Sequence, residues 1–290
     1  MANTTRNKKD KKNKPDKSVK KKDRRLNRKS ADRLDLYQRS VNSPETDVDF
    51  LTAQFEQLRG RPLRHLREDF CGTAALAAEF LRRDPANTAE GFDLDPEPVE
   101  WGKRRNFEKI ENADTRMEFH IADVRNPASR RPDLTCAQNF SYWCFQTRAE
   151  MLGYFKSVYA DLGSDGVFVV DLYGGPEALN ELEEEREVDG GAFTYVWDQR
   201  EWQPGTGLYK TAIHFRFRDG SEWENAFEYT WRFWFLTELR DILAEAGFQT
   251  IRPYFEGTDE ENETEGNGVF EHDEVGENCE AWLAYLICLK

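Results

Sequence analysis

The chain of 290 residues has room for one large domain or one domain with an elaborated insertion, and a core of that size needs no disulfide support. Its five cysteines include no Cys-x-x-Cys pair and its four histidines have no ligand spacing, so no metal centre is expected. With neither a signal peptide nor an apolar run of membrane-spanning length, the composition points to a reducing cytosol and away from a membrane.

The net charge of −14 hides a division. Residues 6–29 hold 14 Lys and Arg against 3 Asp, a net +11, which leaves the remainder at −25. Within that span only Val19 and Leu26 are apolar, so residues 1–34 read as a basic disordered tail. Two roles fit it equally: an arm for RNA or ribosomal phosphates, or a tether drawn to the acidic body. The folded domain is expected over residues 35–290.

Leu36 to Ser40 joins tail to fold, and Ser43-Pro44-Glu45 starts a helix whose Val48, Leu51, Phe55 and Leu58 recur at helical spacing until Gly60. A strand then ends in Glu68-Asp69-Phe70-Cys71-Gly72-Thr73-Ala74 and feeds an Ala- and Leu-rich helix to Arg82. The next strand closes in Gly91-Phe92-Asp93-Leu94-Asp95, and Pro96 opens a helix to Phe107. Phe119 to Val124, Leu134 to Phe140 and Gly166 to Tyr173 are further strands, with an amphipathic helix from Gln146 to Asp161 between the last two. This rhythm predicts a parallel sheet with helices on both faces.

Beyond Tyr173 the rhythm changes. Phe193 to Trp202, Leu208 to Phe217 and Trp223 to Phe233 are aromatic or β-branched runs parted by Pro204-Gly205-Thr206-Gly207 and Asp219-Gly220-Ser221, which predicts a three-stranded antiparallel insertion within residues 176–234. Thr237 to Gly247 returns to a helix, and Thr250 to Phe255 with Ala281 to Leu289 supply the last strands. The acidic stretch 256–280 reads as a mobile loop between them.

A strand, a small-residue turn, a helix and then an acid closing the next strand is how doubly wound domains grip a nucleoside. A single glycine lacks the spacing a dinucleotide pyrophosphate requires at a helix N-terminus, which argues against a dehydrogenase. The ordered series resembles the class I S-adenosylmethionine-dependent methyltransferases, whose first motif is acid-x-Gly-x-Gly-x-Gly. Glu68, Gly72 and Ala74 take the acidic, second-glycine and third-glycine places, and Phe70 departs from the first. The resemblance implies an α/β fold with a doubly wound, mostly parallel seven-stranded sheet, Rossmann-like, carrying an antiparallel β lid as in small-molecule N- and O-methyltransferases.

The cofactor it implies is S-adenosylmethionine. Gly72, with Glu68, Phe70 and Cys71, would lie under its methionine part, Asp93 and Leu94 at the ribose, Asp123 and Val124 at the adenine, and Asn139 and Phe140 beside the methyl group. Tyr37 and Arg39 are candidates for its carboxylate. Methyl transfer is an in-line displacement that needs positioning more than a strong base. Tyr142, Tyr173 and His214 are the candidate catalytic residues, the first two at strand ends and the third in the lid.

The expected acceptor is N or O of an uncharged or cationic small molecule, or of a basic peptide, because the acidic body repels phosphates. An RNA- or ribosome-directed methyltransferase using residues 6–29 and a non-catalytic nucleoside-binding protein are the alternatives. The sequence leaves the oligomeric state open.

Overall fold

The computed structural model describes residues 26–258 and 266–290. Five parallel strands form the centre of the fold: β1 (His65–Asp69), β2 (Thr88–Asp93), β3 (Met117–Ile121), β4 (Leu134–Ala137) and β5 (Val167–Gly174). Around them lie α1 (Arg33–Val41), α2 (Pro44–Arg59), α3 (Ala75–Arg83), α4 (Pro96–Asn106), the single turn α5 (Ala113–Arg116), α6 (Arg148–Asp161) and, after the lid, α7 (Leu236–Ala246). The lid strands are β6 (Leu182–Val188), β7 (Phe193–Trp202), β8 (Leu208–Phe217) and β9 (Glu222–Arg232). Last come β10 (Thr250–Thr258), β11 (Gly266–His272) and β12 (Trp282–Leu289), which complete the large sheet in the order β11-β10-β12-β5-β4-β1-β2-β3.

The alternation along β5 shows why this sheet is buried on both faces. Phe168, Val170 and Leu172 join a core with α6 and α7, whereas Val167 and Val169 join a second core with α2 and α3. A strand covered on both sides has no polar face, hence the apolar run Val167 to Val170 before the buried Asp171. Helix ends follow local chemistry: Thr147 and Glu150 form a reciprocal cap at the start of α6, and Gly60 ends α2 in the left-handed region at φ 66°.

Four differences from the sequence reading stand out. The lid has four strands, because Leu182–Val188 pairs with β7 along its whole length; an acidic LEEEREV segment has no apolar alternation to announce it. The sheet has an eighth, edge strand, since the stretch 256–280 is no simple loop: β10 runs to Thr258 and β11 pairs back on it. The expected disordered tail falls outside the described residues up to residue 25, while the part that follows is engaged. Arg28 stacks 3.5 Å over the Trp223 ring, and Leu26 packs on the lid core. Finally, the joining segment is the helix α1, capped by Asp32, whose Leu36 is fully buried among the lid residues Val188, Phe193, Ile213 and Phe215.

Candidate functional site

The carboxyl ends of β1, β2 and β4 form one rim of the sheet, where a doubly wound fold places its ligand. In the turn after β1, Phe70, Gly72 and Ala74 are left-handed, with φ 56°, 51° and 50°. Only the glycine adopts this without steric cost. A Cβ at Gly72 would meet nothing within 4 Å, so the backbone there faces open space. Glycine is also required at Gly102 of α4, where a Cβ would sit 2.1 Å from the Thr73 carbonyl oxygen.

Asp93 organises this turn. One carboxylate oxygen accepts from the Gly72 N–H at 2.8 Å, and the other from the Asp95 N–H at 2.9 Å. Burial raises its pKa. Glu68 accepts from the Ala77 N–H at 2.9 Å inside the first turn of α3, and burial pushes it up to about 8. Phe70 turns its ring into the core against Phe145 and Tyr154, and Cys71 is buried. Beside them Leu94 is 69% exposed and Ile121 47% exposed, two large apolar side chains left uncovered at the ends of adjacent strands. Asp123 is held by Arg125 at 2.5 Å, and Val124 is buried with its carbonyl bonded by Arg67.

Arg67 and Asp69 escaped the sequence reading. They occupy positions where a central strand ordinarily carries apolar side chains, yet both are buried charges. Arg67 bonds Asp69 at 2.7 Å, Asp161 at 2.8 Å and the carbonyls of Val124 and Asn126, and lies 3.9 Å over Phe92. Tyr154 completes the cluster with a 2.8 Å bond to Asp69. Buried charges persist only when paired, and this pairing fixes the loop after β3. Gln38 of α1 was also missed; it accepts from Thr73 Oγ1 at 2.8 Å and exchanges bonds with Asn106, tying α1 to the β1 turn.

At the end of β4, Asn139 and Phe140 both have φ 57°, and Asp171 accepts their N–H groups at 2.6 and 3.0 Å. Burial pushes Asp171 up to about 7. From this turn a cavity of about 420 Å³ opens between sheet and lid. Asn139, Phe140 and Tyr173 line its sheet side; Glu184, Tyr195, Trp197, Tyr229 and Trp231 line its lid side, with Tyr37 of α1 against the lid residue Phe227. Burial raises Tyr37 to about 12 and raises Tyr173 as well, so these phenols stay protonated at neutral pH.

The structure sorts the remaining candidates. Tyr173 reaches the cavity, bonding Tyr209 at 2.9 Å through its hydroxyl. Tyr142 does not: it sits in a short 3₁₀ turn, Ser141–Cys144, fully buried, donating to the Asp171 carbonyl at 2.7 Å. His214 is also outside, by strand parity. Its neighbour Ile213 faces the cavity, so His214 faces away, bonded to Asp198 at 3.0 Å and to the Asn225 N–H at 2.8 Å. Arg39 is committed elsewhere, paired with Asp35 at 3.1 Å and with Asp189 of the lid.

Among the described residues, Glu90, Glu118 and His120 place three ligand-type atoms within 4.8 Å of one another. Glu90 is already satisfied by His65, His120 and the N–H groups of Ser129 and Arg130. Against the cost of burial, these bonds bring it down to about 2. The cluster is a structural clasp. All five cysteines are free, and no described helix is long and apolar enough to cross a membrane.

No family model and no curated protein sequence matches this chain. Solved structures do. An S-adenosylmethionine-dependent methyltransferase from Clostridium acetobutylicum superposes with a TM-score of 0.62 at 16% identity, covering 87% of this chain and 96% of its own. An S-adenosylmethionine-bound amino pentose methyltransferase from Micromonospora echinaspora gives 0.63 at 16% identity over 88% and 94%. A sugar N-methyltransferase from Streptoalloteichus gives 0.58 at 17% identity over 88% and 91%. The chain has the fold of the S-adenosylmethionine-dependent methyltransferases.

Proposed function

We propose that this protein is an S-adenosylmethionine-dependent methyltransferase acting on nitrogen or oxygen of a small molecule or basic peptide. The observation that carries the reading is the placing of two features at the carboxyl ends of neighbouring strands: the rim around Gly72 and Asp93, and the lid cavity lined by Asn139 and Phe140. The donor fits the residues present. The open face of Gly72 admits a close backbone approach, and the uncovered side chains of Leu94 and Ile121 suit a planar base. The Asp93 carboxylate keeps lone pairs for ribose hydroxyls beyond the two N–H groups it already holds.

The bound donor would supply a methyl group on a sulfonium, transferred in line, with the electron pair of the broken carbon–sulfur bond remaining on sulfur. The protein's part is orientation and exclusion of water. Asp171 holds the Asn139–Phe140 turn between donor rim and cavity, and aromatic side chains line that chamber. The amino pentose and sugar N-methyltransferases that share the fold favour a small-molecule nitrogen acceptor.

The test is incubation of the purified protein with methyl-labelled donor and fractionated cell extract, with and without nuclease. Label in a small, nuclease-resistant fraction is expected. Label confined to nuclease-sensitive material would replace this reading with the RNA-directed one. No transfer, with no affinity for adenosylhomocysteine, would end both.

A further inference from the structure

The cavity combines rings with negative charge and, among the described residues, no counter-charge. Glu177, Glu184 and Glu256 are among the residues lining it, and none of the described lining residues is Lys, Arg or His. Glu184 is the informative one. On either side of it in β6, Glu183 and Glu185 turn outward and pair with Arg216, the former at 2.9 Å. Glu184 alternates to the inner face opposite Trp197 and has no ion pair or hydrogen bond among the described residues.

Glu184 is solvent-exposed, as its neighbours in β6 are, and so stands at the mouth of the cavity, opposite Trp197. Tyr195, half-buried, lines the same cavity, and its hydroxyl has no hydrogen-bond partner among the described residues. Arg186 packs 5.5 Å from the Tyr195 ring but is tied to the Ser40 carbonyl and does not line the chamber. Trp231 stacks on Tyr229 at 4.5 Å and lies 6.2 Å from Trp197, so several ring faces border one space. Aromatic faces attract cations, most strongly where water is excluded, and a carboxylate beside them adds a directed charge.

Resting on the methyltransferase reading, we propose that the acceptor is a small organic ammonium compound, held by Glu184 and the rings of Tyr195, Trp197, Tyr229 and Trp231; the nitrogen or oxygen that takes the methyl attacks through a free lone pair, the carbon–sulfur bond breaks with its electrons on sulfur, and the acceptor's proton leaves to water. A hydroxyl compound without a positive charge would gain nothing from the Glu184 carboxylate, and a phosphorylated one would be repelled by it.

Titration calorimetry on the full chain without donor tests this with choline and its neutral carbon isostere, dimethylbutanol. Choline should bind at least about tenfold more tightly than the isostere. Glu184→Gln should remove most of that preference while leaving the isostere unchanged, and Glu183→Gln, which alters the outward carboxylate, should keep it. Equal binding of the two probes, no choline binding, or a preference indifferent to Glu184→Gln overturns the proposal. Adenosylhomocysteine titrated into the same samples separates the two readings. If it binds while choline shows no preference, the ammonium assignment falls and the methyltransferase reading stands; the converse keeps the cation site and removes the methyltransferase reading.

Discussion

Replacing Asp93 by Ala tests the donor site most directly, because the structure separates two jobs of that carboxylate. Within the protein it accepts from the N–H groups of Gly72 at 2.8 Å and Asp95 at 2.9 Å. Both groups lie at the surface rim and water can replace the carboxylate, so the loss in stability is about 1 kcal/mol for each bond, or roughly 4 °C in melting temperature for the pair. Toward the donor, hydrogen bonds from ribose hydroxyls to a charged acceptor contribute about 1.5–3 kcal/mol, which corresponds to about a ten- to 150-fold loss of affinity. Asp93→Asn should fall between wild type and Asp93→Ala in both respects, since it keeps one acceptor oxygen. The assay is calorimetric titration with adenosylhomocysteine beside a thermal melt of each variant. A melting temperature that falls as expected with affinity within twofold of wild type would show that Asp93 only braces the turn, and the ribose assignment would be wrong. Because burial raises the Asp93 pKa, wild-type affinity should fall on acidification at a pH above the ordinary aspartate range.

Glu68, pushed up to about 8, holds a proton in the folded state that the unfolded chain has already released above its ordinary value. Its contribution to stability therefore falls as pH rises from about 4.5 to 8 and is level beyond. Discounted for the surface it retains, that fall is about 2–4 kcal/mol, and Glu68→Gln should flatten it in denaturant titrations run at pH 5 and 9. Tyr142→Phe should cost about 1–2 kcal/mol in stability by leaving the Asp171 carbonyl without its donor, yet leave turnover with saturating substrates within twofold, as expected of a core side chain. His214→Phe should likewise leave turnover unchanged in the methyl-transfer assay, since the ring faces away from the cavity. Leu36→Ala should lower stability by about 2–5 kcal/mol in chemical denaturation, because α1 contributes that side chain to the core of the lid.

What the sequence revealed and what it concealed have distinct physical origins. Strand ends carrying Asp93, Asp123 and Asn139 were legible because the chain must change from apolar to polar where a parallel strand leaves the core, and Gly72 because it interrupts such an end. The three long lid strands were legible through their hairpin turns. Strand β6 was not, because an edge strand paired on one side only, with its carboxylates in solvent, needs no apolar pattern. Roles at single positions were harder still. The difference between Ile213 in the cavity and His214 outside it is one residue of register, which no local composition specifies. Tyr142 was placed at a strand end, but β4 stops at Ala137 and the 3₁₀ turn returns the ring to the core. Arg67 and Asp69 disguised their positions by being charged, and only their mutual pairing explains how they are tolerated there.

The place of β12 in the sheet bears on how the chain is made. Trp282–Leu289 lies between β5 and β10, pairing antiparallel with both. Until that segment has emerged from the ribosome, the nascent chain carries two exposed strand edges flanked by buried-type residues such as Val169, Val170, Phe168 and Tyr254. Such edges are templates for pairing with another chain, and joining strands so distant in sequence is intrinsically slow. During synthesis both edges therefore stand open to association until β12 is available to pair with them.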